Sequence, residues 1–174
     1  MGGPITATFT ARHPKRVKSL TLMDPAGAQA ISLTPMLKAV KLPGIAEAVF
    51  GLFGSEAMVK SAAKDFYDPE LVSFFMDKYK VQMQYKGFKR AILSSLRGNV
   101  LGSFIKTYQL VGKMDKPVLL LWGRNDLTVP LEHSLSLRAA MPEAEFHIVE
   151  DCGHIPHYEK PDEVNAILSR FLSK

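Results

Sequence analysis

The segment Pro117-Val118-Leu119-Leu120-Leu121-Trp122 constrains the fold more than any other part of the chain. It is apolar throughout and is closed by Gly123. A strand with one wet face alternates apolar and polar residues, so a run this uniform has both faces covered, as a parallel strand between helix layers does. Two further short runs read as strands. Val17-Lys18-Ser19-Leu20-Thr21-Leu22-Met23 ends in Asp24-Pro25-Ala26-Gly27, and Glu145-Phe146-His147-Ile148-Val149 ends in Glu150-Asp151-Cys152-Gly153. Helical patterns lie between them. Residues 3–12 place Ile5 and Phe9 four apart, with Pro4 tolerated in a first turn and Pro14 as a stop. Residues 132–140 join the second strand to the third. The last helix has Pro161 at its start, Asp162 and Glu163 in its first turn, and one apolar stripe of Val164, Ile167, Leu168, Phe171 and Leu172. Strands alternating with helices imply right-handed crossovers. The expected fold class is therefore α/β, with three parallel strands at about 17–23, 117–122 and 145–149.

Between the first two strands, residues 28–112 contain no convincing strand. They read as helices broken at Pro43-Gly44, Gly54-Ser55, Asp68-Pro69 and Gly98-Asn99. One helix, from Glu70, carries Leu71, Phe74, Phe75, Tyr79 and Met83. The expected organisation is a core from residues 1–27 and 113–174, interrupted by a helical insertion over 28–112. With 174 residues, 47% hydrophobic and 22% charged, the chain can bury a sizeable core and is no disordered tail or disulfide scaffold. Its single cysteine, Cys152, can form no internal bridge, which fits a reducing, cytoplasmic setting. No apolar run approaches the ~20 residues of a membrane span. Residues 1–112 hold 15 Lys/Arg against 7 Asp/Glu, a balance of +8, and residues 113–174 hold 7 against 10, a balance of −3. The basic residues form no dense cluster interleaved with aromatics, so nucleic acid is not an expected partner.

Two segments carry chemistry. Gly123-Arg124-Asn125-Asp126-Leu127-Thr128-Val129-Pro130 puts a carboxylate just past a strand end, and Cys152-Gly153-His154-Ile155-Pro156 puts an imidazole after the next strand. In open α/β sheets, ligands bind beyond the carboxyl ends of the strands, so both side chains come from the same edge. A carboxylate accepting a bond from imidazole Nδ1–H fixes the tautomer and leaves Nε2 to take a proton from a nucleophile. Asp24 also follows a strand and is the alternative acid.

These motifs resemble those of the α/β-hydrolase superfamily, in particular serine hydrolases with a helical cap: esterases, lipases and carbon–carbon bond hydrolases. The resemblance places the triad acid at Asp126 and the base at His154, whose Gly153, Pro156 and Glu159-Lys160-Pro161 surroundings match the family's histidine loop. It makes residues 28–112 a cap, and it implies no metal or organic cofactor and a small-molecule ester or acyl substrate. The family's nucleophile sits on a Gly-x-Ser-x-Gly elbow, and no such pattern occurs in the sequence. Met1-Gly2-Gly3-Pro4 resembles the residues that come directly after the elbow. The expectation is thus the C-terminal part of a hydrolase, inactive alone, whose nucleophile would precede Met1. The Met1 N–H would then be an oxyanion donor. A non-catalytic binding module derived from the fold is the alternative.

Phe74, Phe75 and Tyr79, with Met83 and Phe88, are candidates to line an acyl pocket. His13, His133, His147 and His157 have no partner motif. Cys152 lacks the basic neighbours that activate a thiol and is expected to be inert. In the sheet that the resemblance implies, the nucleophile's strand would pair with residues 17–23; without that partner the segment is expected to be an open edge through which the chain self-associates.

Overall fold

Strand β2 (Val118–Gly123) is buried along its whole length and lies between two parallel neighbours, β1 (Leu20–Met23) and β3 (Glu145–Val149). The computed structural model describes residues 1–30, 42 and 44–174. In chain order its helices are α1 (Gly2–Arg12), α2 (Ile45–Ala63), α3 (Glu70–Met83), α4 (Phe88–Arg97), α5 (Ile105–Gly112), α6 (His133–Ala140), the short α7 (Pro156–Glu159) and α8 (Pro161–Leu172). Helix α1 precedes β1, α2 to α5 lie between β1 and β2, and α6 links β2 to β3.

Successive residues of β2 point to opposite faces and supply two separate cores. Val118, Leu120 and Trp122 pack with Ala7 of α1, Tyr108 and Val111 of α5, and Leu137 of α6. Leu119 and Leu121 pack with Val149, Cys152, Val164 and Phe171 on the α8 side. Each fully buried Leu contributes roughly 1.5–3 kcal/mol, so a strand covered on both faces anchors the whole sheet. The register pairs Gly123 with Val149, the last residues of their strands. The loops after β2 and β3 therefore leave the sheet at one level and from one edge.

Three local expectations are corrected. The first strand starts at Leu20 and spans Leu20–Met23, rather than starting at residue 17. Val17 N–H turns back to the Pro14 carbonyl, closing a 3₁₀ turn, and the ladder begins where Leu20 N–H meets the Pro117 carbonyl. Helix α2 runs unbroken through Gly54-Ser55. A helix-interior glycine costs only about 1 kcal/mol relative to alanine, and the Phe50 ring covers Gly54, 3.0 Å from where a Cβ would stand. Helix α1 buries Pro4, Ala7 and Thr10, whereas Ile5 and Phe9 are 64% and 41% exposed. Small residues win this face because the main chain comes close: a Cβ on Gly3 would lie 2.7 Å from Pro25 Cβ and 2.8 Å from the Tyr108 hydroxyl. The breaks at Asp68-Pro69 and Gly98-Asn99 are present. Helix α2 begins after Gly44, whose φ of +82° suits glycine, and Pro43 lies outside the described residues.

Candidate active site

Asp126 stands in the turn after β2 and is 4% exposed. Its Oδ1 accepts the N–H groups of Thr128 (2.7 Å) and Val129 (2.8 Å). This is the local turn an aspartate makes with the backbone two residues on. The Val129 carbonyl in turn accepts the indole N–H of buried Trp122 at 2.9 Å, which ties the acid's loop to the core. The remaining oxygen, Oδ2, lies 2.8 Å from Nδ1 of half-buried His154. With a carboxylate as acceptor, Nδ1 carries the proton and Nε2 is left as the basic nitrogen.

The two loops are joined by main chain as well. Arg124 N–H donates to the Val149 carbonyl at 2.9 Å, and Asn125 N–H to the Cys152 carbonyl at 2.8 Å, continuing the β2–β3 ladder past its end. Glycine makes this approach feasible. A Cβ on Gly123 would overlap the Gly153 carbonyl oxygen, and one on Gly153 would overlap the Asp65 carbonyl oxygen. Asp65 belongs to the turn between α2 and α3, so a piece of the helical segment lies directly on the histidine loop. Its carbonyl accepts His154 N–H at 2.7 Å, and its carboxylate accepts the Thr128 hydroxyl at 2.5 Å.

A second carboxyl sits beside the pair. Asp24, 3% exposed and in the left-handed region at φ +44°, accepts Gly123 N–H through Oδ1 at 2.8 Å, while its Oδ2 is buried without a partner. Burial pushes its pKa up to about 9; the Gly123 bond opposes this and the neighbouring Asp126 reinforces it. Asp24 therefore keeps its proton at pH 7, whereas Asp126 has three donors around it. Burial also raises Asp65, against the pull of Thr128 and His154. It lowers His157, helped by His154. It pushes the Cys152 thiol far above its ordinary range, with Glu159 adding to the effect, which suits an inert thiol.

Among the described residues, Asp24, Asp126 and His154 bring one potential metal-ligand atom each within 4.8 Å of one another. Asp126 Oδ2 and His154 Nδ1 are already bonded to each other, and a cation taking those two atoms would have to break that bond. The arrangement fits an acid–histidine pair better than a metal centre.

The other sequence candidates are placed differently. Met1 is the exposed residue directly before α1, and among the described residues no hydrogen bond joins it to Asp126 or His154. Phe75 and Tyr79 stack at 5.9 Å, and Phe75 also meets Phe66 and Tyr158 edge-on. Phe74 stands apart, 58% exposed under the Lys78 ammonium. Sequence reading missed Asp65, Thr128 and the role of Glu159. Glu159 was visible within Glu159-Lys160-Pro161, but its partners are backbone N–H groups far away in sequence. Among the described residues, no helix is long and apolar enough to cross a membrane.

Comparison with known proteins bears on the family and the fold. The profile of the alpha/beta hydrolase fold matches residues 1–161. A 2-hydroxy-6-oxo-6-phenylhexa-2,4-dienoate hydrolase of Burkholderia cepacia is 29% identical over 180 residues, covering 99% of this chain and 60% of its own length. A 2-hydroxy-6-oxononadienedioate/2-hydroxy-6-oxononatrienedioate hydrolase of Comamonas testosteroni is also 29% identical, with the same coverage. The chain thus spans about 60% of the length of the curated relatives it matches. Among solved structures, a 2-hydroxy-6-oxo-6-phenylhexa-2,4-dienoate hydrolase from Rhodococcus sp. strain RHA1 superposes with a TM-score of 0.75 at 22% identity. It covers 100% of this chain and 62% of that one. Parallel strands in this order, an acid after one strand and a histidine after the next, and a matching profile over most of its length lead to one assignment: the chain belongs to the α/β-hydrolase family.

Proposed function

We propose that this chain carries the acid–histidine half of a serine hydrolase that cleaves a small carboxylic ester or a related carbon–carbon bond. The observation that supports this reading best is the 2.8 Å contact between His154 Nδ1 and a buried, triply bonded Asp126. In this reading a serine supplied ahead of Met1 attacks the substrate carbonyl and its proton passes to His154 Nε2. Asp126 holds the ring in place and stabilises the imidazolium, and His154 then returns the proton to the leaving group. The backbone N–H of Met1 donates to the developing oxyanion. Residues 28–112 act as a cap, with Phe75 and Tyr79 on its inner side. The names of the relatives favour an oxo-dienoate over a simple ester, and the +8 balance of residues 1–112 suits such an anion.

A non-catalytic module is the second reading, favoured by the lack of any Gly-x-Ser-x-Gly in the sequence. One experiment separates the two. The 174-residue chain and a fusion that adds an α/β-hydrolase N-terminal segment ending in Gly-x-Ser before Met1 are assayed with a chromogenic ester and an oxo-dienoate. The expected result is no turnover by the chain alone and turnover by the fusion that falls at least about 10³-fold in His154→Ala. A folded fusion that stays inert on both substrates supports the module instead.

A further inference from the structure

Glu159, the last residue of α7, receives four donors and no acceptor. Its Oε1 takes the N–H groups of Tyr67 (2.8 Å) and Asp68 (3.0 Å), and its Oε2 takes Gly153 N–H (2.6 Å) and the Cys152 thiol (3.6 Å). The first pair belongs to the turn between α2 and α3, the second to the histidine loop. The same turn reaches back through the Asp65 carbonyl to His154 N–H, and through the Asp65 carboxylate to Thr128 in the acid's loop. The N–H groups of two consecutive residues, Gly153 and His154, are therefore held by Glu159 and by Asp65, and Glu159 also holds the turn that contains Asp65. Gly153 has no side chain to keep them apart.

We propose that Glu159 is a positioning residue for His154: it clasps the 65–68 turn against the histidine loop, so that the seating of α2 and α3 and the placement of the imidazole are set together. The inference rests on the reading of His154 as the proton carrier. Its chemistry requires a carboxylate. A glutamine offers one acceptor oxygen and an NH₂ group, so in either orientation it turns donors toward donors on one side. Removing one partner from a buried donor leaves that donor unsatisfied. Displacing the turn would then disturb Gly153 and His154 at once.

The test is solution NMR on the 174-residue chain and on Glu159→Gln, with Glu150→Gln, an exposed partner of Arg124, as control. In the unaltered protein, scalar couplings should run from the Tyr67, Asp68 and Gly153 amide nitrogens to Glu159 Cδ. The His154 Nδ1 proton should give a protected downfield signal. In Glu159→Gln, exchange with water should speed up at least about tenfold at those amides and at His154 Nδ1–H together, as expected when a local unit loosens. The control should change neither. Faster amides with an unchanged His154 Nδ1 proton would reduce Glu159 to a local tie and overturn the inference. If Glu159→Gln does not fold, Thr128→Val loosens the same turn from its other side. Faster Nδ1–H exchange there, with the couplings present in the unaltered protein, supports the clasp, and an unchanged signal or missing couplings overturn it. A missing Nδ1–H signal in the unaltered protein would instead sink the Asp126–His154 pairing, and with it the purpose of the clasp.

Discussion

Strand β2 and helix α2 are both rich in apolar side chains, yet they use them in opposite ways. All six residues of β2 are buried. In α2, Val49, Leu52 and Phe53 face outward, Leu52 with 78% exposure, while the small Ala46 and Ala62 are buried. The helical segment buries a few apolar side chains, Phe66, Met76 and Leu93 among them, and adds exposed polar ties: Arg97 of α4 grips Glu47 of α2, and Lys89 of α4 reaches the Gly51 carbonyl. It meets the histidine loop through the hydrogen bonds of Glu159 and Asp65 and through Phe66 and Phe75 against the Tyr158 ring. The sheet is stabilised by dry contact on both faces, and the position of the helical segment on the loop is set by directed hydrogen bonds beside a small aromatic contact. Burial contributes in proportion to area, whereas directed bonds contribute little net stability and fix geometry. The first region should therefore govern whether the chain folds, and the second where its parts sit.

The largest effect should come from truncating the dry region. Leu121→Ala is expected to cost about 2–5 kcal/mol, while Leu52→Ala stays within about 0.5 kcal/mol, both read from urea unfolding. Similar losses at the two positions would break the contrast. Next come the glycines. Gly153→Ala should cost about 1–3 kcal/mol by forcing the histidine loop off Asp65. Gly51→Ala, in open space within α2, should stabilise the chain by about 0.5–1 kcal/mol. Thermal melts of the two variants should move in opposite directions.

The last expected effect depends on pH. The folded-state Asp24 titrates at about 9, against about 3.9 for an unfolded aspartate. Between those values the folded chain binds the extra proton. Stability from this group is thus complete below pH 4 and is lost as pH rises toward 9. Asp24→Asn keeps an acceptor for Gly123 N–H and removes the titration. Its melting temperature should gain on the unaltered protein by at least about 3 °C between pH 5 and pH 9, about 1 kcal/mol for a chain of this size. A constant difference across that range would show that Asp24 is charged in the folded state.

Legibility in the sequence divides along the same line. Strands β2 and β3 were legible because their apolar runs end in turn residues. The meeting of Asp126 and His154 was legible because each follows a strand end on the same sheet edge, in a segment that resembles a family motif. The buried face of α1 was not, because Ala7 and Thr10 are buried by the close approach of Pro25 and Tyr108, and no periodicity encodes that distance. The continuity of α2 through Gly54 was hidden because the ring that covers this glycine is supplied by packing. Glu159 was present in a recognisable motif, but its work is done on main-chain N–H groups of Tyr67, Asp68 and Gly153, which have no residue signature at all.

The glycine contacts at the site have a consequence for inheritance. Any one-base change in a glycine codon that substitutes another amino acid adds a Cβ. At Gly123 or Gly153 that carbon lands on a carbonyl oxygen, and no neighbouring side chain can shrink to make room. Compensation would need the main chain of two loops to shift in concert, which a single further substitution rarely achieves. Gly51, with nothing within 4 Å of a new Cβ, carries no such burden. Copying errors can therefore accumulate at that codon, while the pair that brings β2 to the histidine loop has no conservative alternative within reach.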